Sequence, residues 1–295
     1  MIPLRAIIIA VCIHILWGAN PVAVKFGLLA FPPLWSAFIR FALAIACIVL
    51  WARYKDIALW PQRGEWRGLG LLSLLFTVQI ALMNIGIDMT TSSMSSVLLA
   101  THPLFAALFA HLFIARDRLT PVKMVGLLVA FSGAGVVLLR DAGLAGLDLV
   151  AIGNWVVLLS SALLGGRLIY TAGLAQRIDT SRVVVWQMVL SLVAFGAGGL
   201  AFESIHWTQV GWLPLAGLAY QGIVIAGLGF MLNTWLIKNH SPSTMVSFGF
   251  IAPISGVALS VWLLSESLTS SLIFGTLGVG LGLVLITRRA AERPS

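Results

Sequence analysis

Apolar runs of roughly membrane length follow one another along almost the whole chain, and no other feature restricts its fold so strongly. A hydrocarbon core about 30 Å thick takes about 20 apolar residues per helix. Cutting the sequence at charges, Pro and Gly gives runs near 4–29, 33–53, 66–87, 92–114 and 121–139, then 149–173, 183–202, 211–237, 242–264 and 271–287. The predicted fold is therefore an all-α integral membrane protein of ten transmembrane helices. Only 9% of the 295 residues are charged, against roughly 25% in an average soluble domain, so no soluble domain is expected beside the spans. The first run is too long for a signal-peptide core and lacks a small-residue cleavage site, and is read as a helix.

The charges set the direction. With the N-terminus inside, the cytoplasmic segments hold Arg5, Arg53, Lys55, Arg63, Arg67, Arg116, Arg118, Lys123, Arg177, Arg182, Lys238, Arg288, Arg289 and Arg293. The opposite side has Arg140 alone, with Asp88, Asp141, Asp148, Glu203 and Glu266, and the remaining Lys25, Arg40 and Arg167 fall inside spans. This asymmetry places both termini in the cytoplasm and the chain in a cytoplasmic (inner) membrane. It also explains the net charge of +8 without a nucleic-acid partner, which would need a clustered basic face. Trp51, Trp60, Trp66, Trp207, Trp212 and Trp262 fall near the predicted interfaces, as amphipathic rings should. Cys12 and Cys47 lie in apolar runs with no spacing that suggests a metal or disulfide, and are read as buried thiols. No metal or cofactor is expected.

A shift of 149 residues superposes Asn84 on Asn233, Ser92 on Ser241, Asp117 on Glu266, Leu119-Thr120 on Leu268-Thr269, Gly126 on Gly275, Gly133 on Gly282 and Arg140 on Arg289. The chain thus divides into residues 1–145 and 146–295, each with five helices. An odd count makes the second repeat enter the membrane upside down relative to the first. Inverted repeats of this kind characterise secondary transporters, whose site lies near the midplane where the halves meet.

With these residues in view, the chain resembles the drug/metabolite transporter superfamily in its EamA-type branch. The resemblance rests on Trp17-Gly18-x-Asn20-Pro21-x3-Lys25, Pro33-x6-Arg40, Pro103, and Asp117-Arg118-Leu119-Thr120-x5-Gly126, repeated as Glu266-Ser267-Leu268-Thr269-x5-Gly275. Asp117 departs from the Glu usual there, keeping the charge and shortening the reach. Within the branch the chain is most similar to bacterial exporters of aromatic amino acids, which implies ten helices, a central cavity and outward transport.

Intramembrane polar groups cost on the order of 3 kcal/mol when charged, so they normally face a cavity or a partner. On the first helix Trp17, Pro21, His14, Lys25 and Gly18 share one side, with Asn20 nearby. Trp17 and Asn20 are read as cavity-lining, with plain packing as the alternative for Trp17. Lys25 and Arg40 either face a solute carboxylate or snorkel to the headgroups. Ser73, Thr77, Asn84 and Asp88 make a polar stripe on the third helix, off which Gln79 lies, and Gly222, Ala226, Gly229 and Asn233 make the matching stripe in the repeat. Either stripe would equally serve as a packing seam. His102-Pro103 and Pro253 interrupt the fourth and ninth helices at matching places, which is a pointer to a site. Trp155, Arg167, Tyr170 and Gln221 complete the candidates, while Asp117 and Glu266 are read as structural, each capping the helix that follows its Leu-Thr pair.

The leading expectation is a secondary transporter exporting amino acids, aromatic or hydrophobic ones foremost, or related metabolites. Its partners would be the solute and the bilayer, and the oligomeric state is left open, a monomer being compatible with the sequence. A drug or cation efflux pump of the same superfamily is the alternative, but it would favour a mid-membrane carboxylate, and every Asp and Glu here lies near a helix end or in a loop. No H-E-x-x-H, G-x-S-x-G, nucleotide site or repeated filter suggests an enzyme, pump ATPase or channel.

Overall fold

In the computed structural model, which describes residues 3–113, 119–141, 149–229, 232, 236 and 247–287, the chain is all-helical. The helices are α1 (Leu4–Gly18), α2 (Asn20–Leu28), α3 (Pro33–Tyr54), α4 (Trp66–Met89), α5 (Ser92–Leu99), α6 (His102–Phe113) and α7 (Pro121–Asp141). In the second half they are α8 (Leu149–Ala175), α9 (Thr180–Phe202), α10 (Trp212–Ala219), α11 (Ile251–Leu264) and α12 (Ser270–Thr287). Among the described residues nine helical stretches are long and apolar enough to cross a bilayer, and Phe248–Leu264 is a shorter tenth. The protein is a multi-pass membrane protein of ten helices in duplicated halves.

Several runs are interrupted where proline dictates. Pro21 has no N–H and its ring crowds the carbonyl four residues back, so the first span breaks between α1 and α2 at Ala19. The fourth breaks at Ala100–Thr101, ahead of His102-Pro103. At the matching place in the ninth, a 3-10 turn over Ser247–Phe250 gives way to α11, ahead of Pro253. The eighth widens to a π-helix over Tyr220–Gly229 after α10. In α9 the helix begins three residues before the predicted start, because Asp179 caps it through the Ser181 N–H at 2.9 Å and Arg182 is held at the interface by Glu65 at 2.9 Å.

The packing repeats itself between the halves. α4 packs on α8 as α10 and the π-helix pack on α2 and α1, and α4 packs on α9 as the π-helix packs on α3. α3 packs on α9, and α7 on α12, joining equivalent helices across the pseudo-twofold. Lipid cannot squeeze helices together by a hydrophobic effect, so close approach depends on small residues. Along the α7–α12 seam Gly126 lies against Gly282, and Gly133 against Gly275 and Gly278. A Cβ on Gly133 would stand 2.8 Å from the Gly275 carbonyl oxygen and 2.8 Å from the Val279 nitrogen. Gly133→Ala is therefore expected to lower thermal stability in detergent, at about 1–3 kcal/mol. Gly135→Ala and Gly280→Ala, on the same helices with nothing within 4 Å, should be neutral or stabilising by about 1 kcal/mol. Equal melting temperatures for Gly133→Ala and Gly135→Ala would refute this account of the seam.

Large apolar side chains cover the outside, as with Leu71, Leu74, Val78 and Ile85 on one stripe of α4. Trp60, Trp207, Trp212 and Trp262 are exposed near helix ends. Cys12, expected to be buried, is instead exposed on α1 among such lipid-facing positions, while Cys47 is half-buried. Apolarity alone does not separate a lipid face from a core, and that is why the expectation failed.

Candidate functional site

On either side of the break in the first span, backbone carbonyls receive side chains from the opposite half. The Tyr220 hydroxyl donates to the Leu16 carbonyl at 2.8 Å, and Gln221 Nε2 donates to the Ala23 carbonyl at 2.9 Å. Both donors open the π-helix, a geometry found mostly at functional sites. Irregular backbone at membrane depth is tolerated where protein or a cavity receives it. Here it is received by a mostly buried, polar junction of the two halves.

Two arginines meet at that junction. Arg40, on α3, is 6% exposed; its Nη1 donates to Gln221 Oε1 at 3.3 Å and its guanidinium lies 4.6 Å from the Phe41 ring centroid. Arg167, on α8, donates to Gln187 Oε1 at 2.9 Å and lies 4.9 Å from the Phe76 centroid. Phe41 and Phe76 are themselves edge to face at 4.8 Å, and Phe195 stacks on Phe41 at 5.9 Å. Each guanidinium thus lies against one ring of a phenyl pair, one from each half, close enough for the two charges to act on each other. Neither makes an ion pair among the described residues, and the Nε of each is buried with no hydrogen-bond partner there. A guanidinium presents a planar fork of the kind that pairs with carboxylate or phosphate.

The other candidates distribute around it. Trp17 is half-buried, edge-on to His14 at 5.4 Å, with its Nε1 near Gly229 of the π-helix. Asn20 Oδ1 is buried without a partner, about one turn from Ala23. His102 opens α6 with Nδ1 bonded to the Leu99 carbonyl at 2.9 Å, and it lies within electrostatic range of Arg167 and His14. Gln79 and Asn84 are buried between helices: Gln79 Nε2 donates to Ser160 at 3.1 Å and Asn84 Nδ2 to the Pro33 carbonyl at 2.8 Å. Each keeps one side-chain oxygen unpartnered. Lys25 does not join the arginines. Its Nζ donates to the Asp88 carbonyl at 3.0 Å, at the negative end of α4.

Some candidates are placed elsewhere. Trp155 is 51% exposed, in one stripe with Ile152 and Leu159 on the outer face of α8, so the structure puts it toward lipid. Tyr170 donates to the Gly68 carbonyl at 3.4 Å and packs on a separate cluster of Leu69, Leu72, Ile178 and Val183. Asn233 and Asp117 lie outside the described residues. Glu266 does sit at a helix end, but not its own. It accepts the Ser92 N–H at 2.7 Å and the Ser93 N–H at 2.8 Å, and also bonds the Ser93 hydroxyl, clamping α5 of the other half. Ser265, in the left-handed conformation (φ 53°), turns the chain there, and α12 is left to Thr269, whose hydroxyl accepts the Leu272 N–H at 3.3 Å. Glu203 does likewise for α3, accepting the Leu34 and Trp35 N–H groups at 2.9 and 3.0 Å. The polar stripe of α4 is a seam, Ser73 and Thr77 bonding Ser191 of α9 at 2.9 and 2.8 Å; Gly222 in the repeat stands against α3 at Arg40 and Leu43.

Phe41 and Phe76 were not singled out in the sequence, since two phenylalanines among many apolar neighbours carry no pattern. A cavity of about 360 Å³ lined by Phe109, Phe113, Gly166 and Ile169 lies between α6 and α8. It presents no polar side chain for a charged solute, so the chemistry points to the arginine junction instead.

Comparison with known proteins agrees with this architecture. The chain is 25% identical to the uncharacterized transporter YvbV of Bacillus subtilis over 97% of this chain and 92% of that one. It is 26% identical to the uncharacterized inner membrane transporter YedA of Escherichia coli, over 96% and 92%. To a protein of Salmonella typhimurium called a probable amino-acid metabolite efflux pump it is 26% identical, over 94% and 93%. A solved crystal structure matches in fold with a TM-score of 0.69 at 17% identity, covering 95% of this chain and 96% of the other. The EamA-like transporter family matches residues 4–139 and again 151–288, one match to each half, and with both halves accounted for the chain belongs to that family of secondary transporters.

Proposed function

We propose that this transporter exports small organic solutes bearing a carboxylate, with aromatic and hydrophobic amino acids and their relatives as the class to test first. The observation that carries this is the pair Arg40 and Arg167, intramembrane cations on aromatic floors with no acidic partner among the described residues. In the sequence none of the ten acidic residues falls in the middle of an apolar run, which argues against a cation or drug carrier built around a mid-membrane carboxylate. The name of the Salmonella relative points the same way. In this reading Gln221, Asn20, Trp17 and His102 surround the solute, and residues 1–145 and 146–295 rock about the junction in alternating access.

Efflux from proteoliposomes loaded with phenylalanine, phenylalaninamide or phenethylamine tests the proposal, because the three share a ring and differ in the carboxylate. Phenylalanine should leave at least about tenfold faster than either, from the loss of a charge-assisted bond. Equal or faster movement of the amine would overturn the reading in favour of a cation carrier.

A further inference from the structure

The charge balance of the junction says more about the solute than that it bears a carboxylate, and this inference rests on the reading above. Lys25, Arg40 and Arg167 are the cations that fall in apolar runs away from the cytoplasmic helix ends. Lys25 is compensated at the outer end by the Asp88 carbonyl and by its electrostatic partners Asp88 and Glu266. Arg40 and Arg167 are not: their partners are the neutral Gln221 and Gln187 and two phenyl rings, and each acts on a like charge or on His102. A zwitterionic amino acid would bring its own ammonium into this field, leaving the net charge of the junction unchanged and adding a third cation beside two. At an effective dielectric of about 20, an ammonium about 7 Å from one guanidinium disfavours binding by about ten- to hundredfold. Asn20 Oδ1, buried without a partner, is neutral and suits a hydroxyl or amide N–H at least as well.

We infer that the arginine junction selects solutes of net negative charge, amine-free carboxylic acids with an apolar body such as 2-hydroxy or N-acyl acids, over zwitterionic amino acids. Energy coupling follows from the same charge. An anion leaving a cell whose interior is negative is driven out by the membrane potential, by a concentration ratio of roughly fifty-fold per charge at 100 mV. No proton-carrying carboxylate at mid-membrane is then required, in keeping with a sequence that has no acidic residue in the middle of an apolar run.

The test uses the full-length wild-type protein in liposomes, so it does not depend on a variant that fails to fold. Efflux of radiolabelled 3-phenyllactate, phenylalanine and phenylalaninamide is followed at pH 7 under potassium diffusion potentials set with valinomycin, with protein-free vesicles as the leak control. The expected result is 3-phenyllactate leaving at least about tenfold faster than phenylalanine, with its steady-state ratio changing tenfold for each ~59 mV. Phenylalanine leaving as fast as 3-phenyllactate, with the amide excluded, overturns this inference and leaves the carboxylate reading standing. Movement of the amide as fast as either overturns both. Selective but voltage-insensitive movement of 3-phenyllactate overturns the electrogenic mechanism, because the charge would then be crossing with a counter-ion.

Discussion

Arg40→Gln and Arg167→Gln should each cut transport of a carboxylate solute by about ten- to a hundredfold while leaving the protein at least as stable as wild type. The loss follows from removing one charge-assisted contact, worth roughly 1.5–3 kcal/mol. The stability expectation has the opposite sign for a physical reason. Each guanidinium is desolvated, has no acidic partner among the described residues and faces a like charge, so it costs folding energy, and a neutral side chain of similar shape relieves that cost. Since the two arginines act together, the double variant should lose less than the product of the single effects. Arg167→Lys should recover only part of the rate, because an ammonium keeps the charge but not the planar fork that lies on Phe76 and reaches Gln187. Initial rates in liposomes, normalised to monodisperse protein, together with melting temperatures, decide the matter. Lower stability with a normal rate per folded molecule would make the arginines structural and move the site away from the junction.

Glu266→Gln should act the other way, lowering folded yield and stability by about 2–3 kcal/mol and leaving substrate preference unchanged. Its carboxylate accepts two backbone N–H groups and a hydroxyl at the start of α5, where the helix dipole also favours a negative charge. The amide of glutamine offers one acceptor in place of two and turns an NH2 group toward a donor. Because the contact joins the second half to the first, the loss should be visible as earlier detergent-induced unfolding of the whole protein. Lys25, in electrostatic range of the same carboxylate, would lose part of its compensation as well. A stable Glu266→Gln protein with an altered solute range would show that this carboxylate belongs to the transport path.

The two expectations separate what was legible in the chain from what was not. Span lengths, the cytoplasmic bias of Lys and Arg, the helix breaks ahead of Pro21, Pro103 and Pro253, and the doubling of the fold all rest on local or periodic properties, and a linear sequence displays these directly. Arg40 and Arg167 could be suspected for the same reason, since a charge in an apolar run is conspicuous without any partner. What those charges face was not legible. In α8 Asn154 and Trp155 are neighbours in the chain and both could line a cavity, yet Trp155 is exposed on the outer face and Asn154 is buried. Glu266 was expected to cap the helix after its own Leu-Thr pair, yet its partner lies 174 residues away at Ser92, and the phenyl pair beside the arginines joins α3 to α4. By itself the sequence determined how many times the chain crosses the membrane and which charges are stranded inside it. The tertiary structure alone decided which stranded charges meet, because in lipid the choice among apolar faces is made by close packing of small residues and by cross-span hydrogen bonds, and neither leaves a period in the chain.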